Sequence, residues 1–455
     1  MQLWTRPFDN PIRSLTALFV VWKSLILVIA CCSPGPGYDT STSLLLPTLE
    51  SGEGRKLPAI AQHLVGRLTR WDAFYFVKAA SRGYLFEQEW AFGWGFTRII
   101  ALGTAGLEKS GVAHYDGMEA VVAICIAHVA HFLSVLLLFS LTLAIFPGST
   151  TRFAFSAAAL HIISPAGIFL SAPYAESSCA LFAFAGCLAF AKSFTSERLS
   201  ATAKHDLLLC GSGVLFGISA TMRSNGILNG LLLLEEAFRV LLSLKVDFRM
   251  ARIRRLIASG LGGLSVAVGF LVPQYISYRD FCREEGVASL RPWCTKPLPS
   301  IYTFVQEHYW NVGLFRYWTL SNLPLFMLAA PMLVMMSMSG VWGLGSNRQV
   351  QVQHATNKQP KRAEEGFPIL RNLAISQLLL TLVTFTTAHV QIITRISSAF
   401  PVWLWYSTVS SEKGNALVGN VAKFTVIVVN KPNSAQHRFD IFKLKAECLK
   451  MLNSP

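Results

Sequence analysis

This sequence is short of charge. Only 14% of its 455 residues are charged, against 52% hydrophobic, whereas a soluble domain carries roughly 25% charged residues. The shortfall excludes an ordinary soluble chain of this length and points to a polytopic membrane protein. The sequence also has no Asn-X-Ser/Thr acceptor, so glycosylation gives no clue to orientation. A Walker loop, an HExxH helix, a CxxC pair and a Rossmann fingerprint are all absent. A nucleotide-sugar donor held by a dinucleotide fold is thereby disfavoured. Nine cysteines do not make a disulfide scaffold in so long a chain.

What is present follows from that. The net charge of +15 does not indicate nucleic acid, because the Lys and Arg residues fall in short clusters between apolar runs, as in the cytosolic loops of membrane proteins. Those runs are Leu15–Cys32, Met118–Phe146, Phe153–Ala172, Ala175–Phe194, Leu207–Leu244, Leu256–Tyr278, Asn322–Leu344, Phe367–Val390 and Ile396–Val409. Leu207–Leu244 is too long for one crossing and is split by Arg223-Ser224-Asn225, giving roughly ten spans. Lys23 lies inside the first run, where it snorkels or faces other helices. With the N-terminus in the cytosol, the basic clusters after spans four, six and eight fall inside. The polar segments 38–116 and 279–321 then fall together on the other face, as do the breaks at Pro173, Arg223 and His389–Arg395. Residues 1–409 read as one transmembrane domain, and 410–455 as a polar tail without pattern.

The chemistry gathers on that face. Asp72, in Thr69-Arg70-Trp71-Asp72-Ala73-Phe74-Tyr75-Phe76, is an acid among aromatics, and Tyr75 and Phe76 share its face on a helix. It has two readings of equal weight. It is a base for an acceptor hydroxyl, or the Asp of a Thr-x-x-Asp capping box that only starts a helix. Arg223 and Arg395, at breaks between apolar segments, are candidates to hold a phosphate, or else interfacial anchors. Glu176 opens a helix, as a second functional acid or as a complement to the helix dipole. Trp71, Tyr75 and Glu87 complete the candidate binding set. His128 and His131, one turn apart, lack a third ligand nearby and read as packing rather than metal. Gly213-x-x-x-Gly217 and Gly226-x-x-x-Gly230 read as close helix contact. Cys282 and Cys294 sit twelve positions apart in a polar loop. They can pair if that loop faces an oxidising lumen.

Six segments, taken in order, resemble one family. They are Trp71-Asp72-Ala73 with Gly83-Tyr84 and Phe86-Glu87; Ser164-Pro165-Ala166-Gly167-Ile168-Phe169 leading to Ala172-Pro173-Tyr174-Ala175-Glu176-Ser177; Arg223-Ser224-Asn225-Gly226; Arg291-Pro292-Trp293-Cys294; Tyr309-Trp310-Asn311-Val312-Gly313; and Thr394-Arg395-Ile396-Ser397-Ser398. The family is that of the second mannosyltransferases of glycosylphosphatidylinositol (GPI) assembly. The resemblance implies an all-α polytopic GT-C-type glycosyltransferase of the endoplasmic-reticulum membrane, with its active face luminal. It implies dolichyl phosphate mannose as donor, the GPI-precursor glycolipid as acceptor, an α-1,6 bond made with inversion, and Asp72 as base. It implies no cofactor and no tight metal site, and a small membrane partner subunit as in fungal members. The chain departs from the family at Gly93-Trp94-Gly95-Phe96, where a Pro-Gly-Phe-Pro type turn is usual, and in its polar tail.

Two other classes remain. A transporter or flippase would show matched halves with matching broken helices, and no such repeat is present. A non-catalytic subunit of the same assembly pathway would keep the helices without needing the acid. Alkylation of unreduced protein is expected to leave Cys282 and Cys294 unlabelled. Free thiols at both would contradict the pairing and the oxidising side on which it depends.

Overall fold

The computed structural model describes residues 7–33, 55–198, 202–283, 291–345 and 360–412. The chain is almost wholly helical, as an apolar environment requires, because a helix satisfies its own backbone polar groups. Seven helices among the described residues are long and apolar enough to cross a membrane. In chain order these long helices are Pro11–Cys32, Met118–Ile145, Glu176–Arg198, Thr202–Met222, Met250–Cys282, Leu323–Gly345 and Pro360–Thr386. The three remaining apolar runs differ from the sequence expectation of full spans. They form the shorter helices Thr151–Ile162, Gly230–Leu244 and Val402–Glu412. All three are joined to 3-10 turns, Gly167–Leu170 following the first, Ser224–Asn229 preceding the second and Ser397–Ala399 preceding the third. The apolar length is there, but the backbone bends where it carries polar side chains to a cavity. The residues after Glu412, including nearly all of the polar tail, lie outside the described residues.

The chemically active ends of several long helices meet on one side of the bundle. The third starts at Glu176 and the fourth ends beside Arg223. The fifth passes Gln274 near its end, and the seventh ends just before His389. The fourth and fifth helices touch backbone to backbone. A Cβ on Gly213 would lie 2.2 Å from Gly262 Cα, and one on Gly217 would lie 2.4 Å from the Ser265 carbonyl oxygen. Gly226 lies against the Ser219–Ala220 backbone, and Gly230 against Val266 of the fifth helix. The glycine spacings therefore serve close contact, as their pattern implies. The main core joins the second, third and fourth helices to the C-terminal segments, with Phe184, Phe216, Trp405 and Phe400 fully buried. A second core seats the first helix, through Leu15 and Phe19, on Val135, Ala154 and Ala158. His131 is buried there, edge-on to Phe19 and to His161, and Ser134 and His161 share a hydrogen bond of 2.9 Å.

The fifth helix has 33 residues, about 50 Å of rod, and so outruns a hydrocarbon core of roughly 30 Å. Its far end carries Cys282, which forms a disulfide with Cys294 at a Cα separation of 5.7 Å. Around that bond Trp90, Trp293, Ile301 and Val305 build a small apolar core. It ties the polar segment following the first helix to the one following the fifth. A strap over 313–318 then caps the seventh helix. Gly313 N–H donates to the Thr387 carbonyl, Phe315 N–H to Thr386 and Trp318 Nε1 to Phe385, supplying partners that a helix C-terminus otherwise lacks. Phe315 adopts φ 55° to do so, a left-handed backbone that only a fixed partner keeps in place.

Gly217→Leu is expected to separate the fourth and fifth helices, because the clash is with main chain and no rotamer relieves it. Destabilisation should reach at least the upper end of overpacking costs, about 3 kcal/mol. A thermal melt in detergent, with Gly211→Leu as the control at a position with open space, measures it.

Candidate functional site

Asp72 is the first residue of the helix Asp72–Arg82, and Glu176 the first of Glu176–Arg198. Each acid thus stands at the positive end of a helix dipole. Trp71, in the cap position, has φ 50° and ψ −121° and contributes no side-chain cap. The Thr-x-x-Asp capping box is therefore not built, although Asp72 does begin the helix. Its carboxylate instead faces across the bundle. Arg395 Nη1 donates to Asp72 Oδ2 at 2.9 Å and Arg395 Nε donates to Glu176 Oε1 at 2.7 Å. Arg223 Nη1 donates to the same Glu176 oxygen at 3.0 Å. Two acids and two guanidiniums form one chain of charge-assisted bonds drawn from four distant segments.

Aromatic faces hold the central cation. The Phe169 and Tyr174 ring centroids each lie 4.6 Å from the Arg395 guanidinium carbon, a cation–π clamp. Tyr174 O–H donates to the Arg70 carbonyl at 2.8 Å, which fixes that ring to the turn before Asp72. Burial works against the charge of Arg395, but the carboxylates of Glu176 and Asp72 more than reverse it and raise its pKa, so it stays cationic. The third guanidinium nitrogen, Nη2, has no hydrogen-bond partner among the described residues. The Glu176 side chain is fully buried, while that of Asp72 keeps 32% of its surface exposed.

That exposed surface of Asp72 lines a cavity of about 830 Å³. Trp71, Tyr75, Arg223 and Arg395 line it too. Tyr75 stacks on Phe92 at 4.7 Å. Burial first, then Asp72 and Glu89, raise the Tyr75 pKa, so its phenol stays protonated and able to donate. Asn225, Gln274, Tyr302 and Gln306 add polar groups, while Phe270, Leu325, Leu328 and Leu380 make an apolar flank. Gly93 is needed beside the cavity: a Cβ there would lie 1.6 Å from the Met222 carbonyl oxygen. The glycines of Gly93-Trp94-Gly95 let that turn touch the end of the fourth helix just before Arg223.

Five of the seven residues singled out in the sequence, Trp71, Asp72, Tyr75, Arg223 and Arg395, line the cavity, and Glu176 lies immediately behind it. Glu87 does not join them. Its carboxylate is held by Arg291 at 2.5 Å, Trp293 Nε1 at 2.8 Å and Tyr309 O–H at 3.1 Å, so it fastens one polar segment to the other. Sequence reasoning did not single out Glu89. It is buried, pairs with Arg82 at 2.5 Å and accepts from the Leu85 and Phe86 amides, closing the turn that opens at Gly83. Phe169 and Tyr174 were visible only as parts of motifs, because a ring that clamps a cation has the same sequence signal as a ring in a core.

The fold and the cavity define a polytopic helical membrane protein with an ion-paired, aromatic-walled chamber at one end of its bundle. The sequence pattern of the mannosyltransferase (PIG-V) family matches residues 12–421. GPI mannosyltransferase 2 of Chaetomium globosum is 41% identical over 92% of this chain and 93% of its own. That of Gibberella zeae is 42% identical over 88% and 89%, and that of Yarrowia lipolytica is 33% identical over 86% and 89%. The chain belongs to the PIG-V mannosyltransferase family.

Replacing Glu176 by Ala leaves two guanidiniums without their shared buried counterion. Removing one partner of a buried pair costs about 3–5 kcal/mol. Glu176→Ala is therefore expected to lose stability on that scale in a detergent melt, and activity with it. A variant as stable as the parent would show that the network does not hold the cavity together.

Proposed function

We propose that the cavity is where this mannosyltransferase of GPI-anchor biosynthesis adds the second mannose, from dolichyl phosphate mannose, to the one-mannose glycolipid precursor. The observation that carries the reading is the Asp72–Arg395–Glu176–Arg223 network on a chamber with one polar and one apolar side. Such a chamber suits two lipids that meet head to head. The relatives named GPI mannosyltransferase 2 support the same acceptor, and a GT-C-type bundle accommodates it.

The donor brings a phosphodiester, one more negative charge than the balanced quartet of two acids and two arginines. Arg395 and Arg223 are the cations that meet it, and they stabilise the charge that grows on the departing polyprenyl phosphate. Asp72 accepts the proton of the acceptor's 6-hydroxyl as that oxygen attacks the anomeric carbon. The carbon–oxygen bond to phosphate breaks as the new one forms, so a β-linked donor gives an α-1,6 product with inversion. Trp71 and Tyr75 form the wall against which the sugars lie, with the protonated Tyr75 phenol free to donate to a hydroxyl. Glu87 acts at a distance, by holding the polar segments closed over the chamber. The face is luminal in this reading: the Cys282–Cys294 bond needs an oxidising compartment, and the basic clusters lie toward the opposite ends of the helices.

Asp72→Asn keeps the shape but cannot take a proton. In cells lacking the native enzyme it is expected to reach normal protein level and to leave the one-mannose glycolipid unextended, a loss of at least about 100-fold by the usual scale of general-base catalysis. Lipid analysis showing normal extension would remove Asp72 from the mechanism.

A further inference from the structure

Lys23 sits in the middle of the first long helix, among mostly apolar residues, and is only 4% exposed. That helix is a flanking element. Val20, Val21, Leu25 and Val28 are about half exposed on its outer side, where lipid lies. Lys23 points the other way. Its Nζ donates to the Leu170 carbonyl at 2.9 Å and to Ser171 Oγ at 2.7 Å. Both acceptors are uncharged. Placing an ionisable residue inside a membrane bundle is expensive, and such residues mark function more often than packing.

The place it grips explains the expense. Leu170 and Ser171 are buried at the centre of the turn between the short helix Thr151–Ile162 and the third long helix. On one side of that centre is Phe169 and on the other Tyr174, the two rings that clamp Arg395. Two residues past Tyr174 comes Glu176, which Arg395 also bonds. Ser177 Oγ donates to the same Leu170 carbonyl at 3.2 Å, so the start of the third helix is fastened to the point that Lys23 holds. A single side chain from the flank of the bundle therefore fixes the middle of a segment whose two ends define the guanidinium's position.

We infer that Lys23 is a positioning residue for mannosyl transfer: through the Leu170–Ser171 turn it sets the orientation of Arg395. The inference rests on the reading of Arg395 as the cation that meets the donor phosphate. Lys23 does not line the cavity, so its loss is felt in the chemical step rather than in acceptor binding. A misplacement of about 1 Å at a reacting group costs up to about 100-fold.

Full-length protein in microsomes from cells lacking the native enzyme, assayed with polyprenyl phosphate mannose and the one-mannose glycolipid, provides the test. Lys23→Met is expected to lower kcat about 10- to 100-fold, with acceptor KM within about twofold. Lys23→Arg, which keeps a long side chain with N–H donors, should recover part of the rate. Ser171→Ala removes one of the two bonds and should give a smaller loss of the same kind, which keeps the test open if Lys23→Met does not fold. Arg395→Lys should also lower kcat, and adding Lys23→Met to it should cost little more, because both act on one group. Full activity of Lys23→Met, or independent multiplication of the two losses, overturns the inference while leaving the site intact. Full activity of Arg395→Lys overturns the phosphate reading itself, and the inference with it.

Discussion

One guanidinium is the constraint on which this structure turns. Arg395 is bonded to Asp72 and to Glu176, and is sandwiched between Phe169 and Tyr174. Charge inside a bundle is tolerated only when paired and hydrogen-bonded. Four segments must therefore arrive at one point: the start of Asp72–Arg82, the start of Glu176–Arg198, the break at Arg223 and the short helix Ile393–Ile396. The bends that shorten three apolar runs are the geometric result. A chain of uninterrupted spans would carry its polar side chains past one another at the ends of rods. Helices broken near the chamber let backbone turns deliver them side by side.

A second constraint is closeness. The glycine contact between the fourth and fifth long helices brings two main chains together with no side chain between them. It sets the fourth helix where Arg223 reaches Glu176, and the fifth where Gln274 reaches the cavity. Gln274 Oε1 in turn accepts from Ser300 Oγ and the Tyr302 amide, carrying the position of the helix into the polar segment beyond. The disulfide and the Glu87 bonds complete that cover. Packing, polar cover and ion pairing thus reinforce one arrangement.

Much of this was legible in the sequence. The helical membrane class follows from scarce charge and long apolar runs. Arg223 and Arg395 stood out because ionisable residues at the edges of apolar runs are costly and therefore few, and Asp72 because it is an acid among aromatics in a polar segment. Their mutual bonding was not legible, since nothing local ties residue 72 to residue 395. The length criterion over-read Phe153–Ala172 because an apolar stretch that bends has the same composition as one that runs straight. The capping box at Thr69 failed because a carboxylate offered a guanidinium does not fold back onto backbone amides. Glu87 looked like a ligand for substrate because a carboxylate among aromatics carries no mark of whether an arginine of the same chain will claim it.

Glu176 accepts from two arginines that lie 47 and 219 positions further along the chain. Chains are made from the N-terminus, and early parts begin to fold while later ones are still being synthesised. Arg223 is therefore made long before Arg395, and a cation able to pair with the Glu176 carboxylate exists before the second one is synthesised. When Arg395 arrives it completes the set, and Asp72, waiting since near the beginning, gains its partner last. Two cations on one oxygen thus leave the carboxylate a nearby partner at each stage of synthesis after residue 223, and the chamber is complete only once residue 395 has been added.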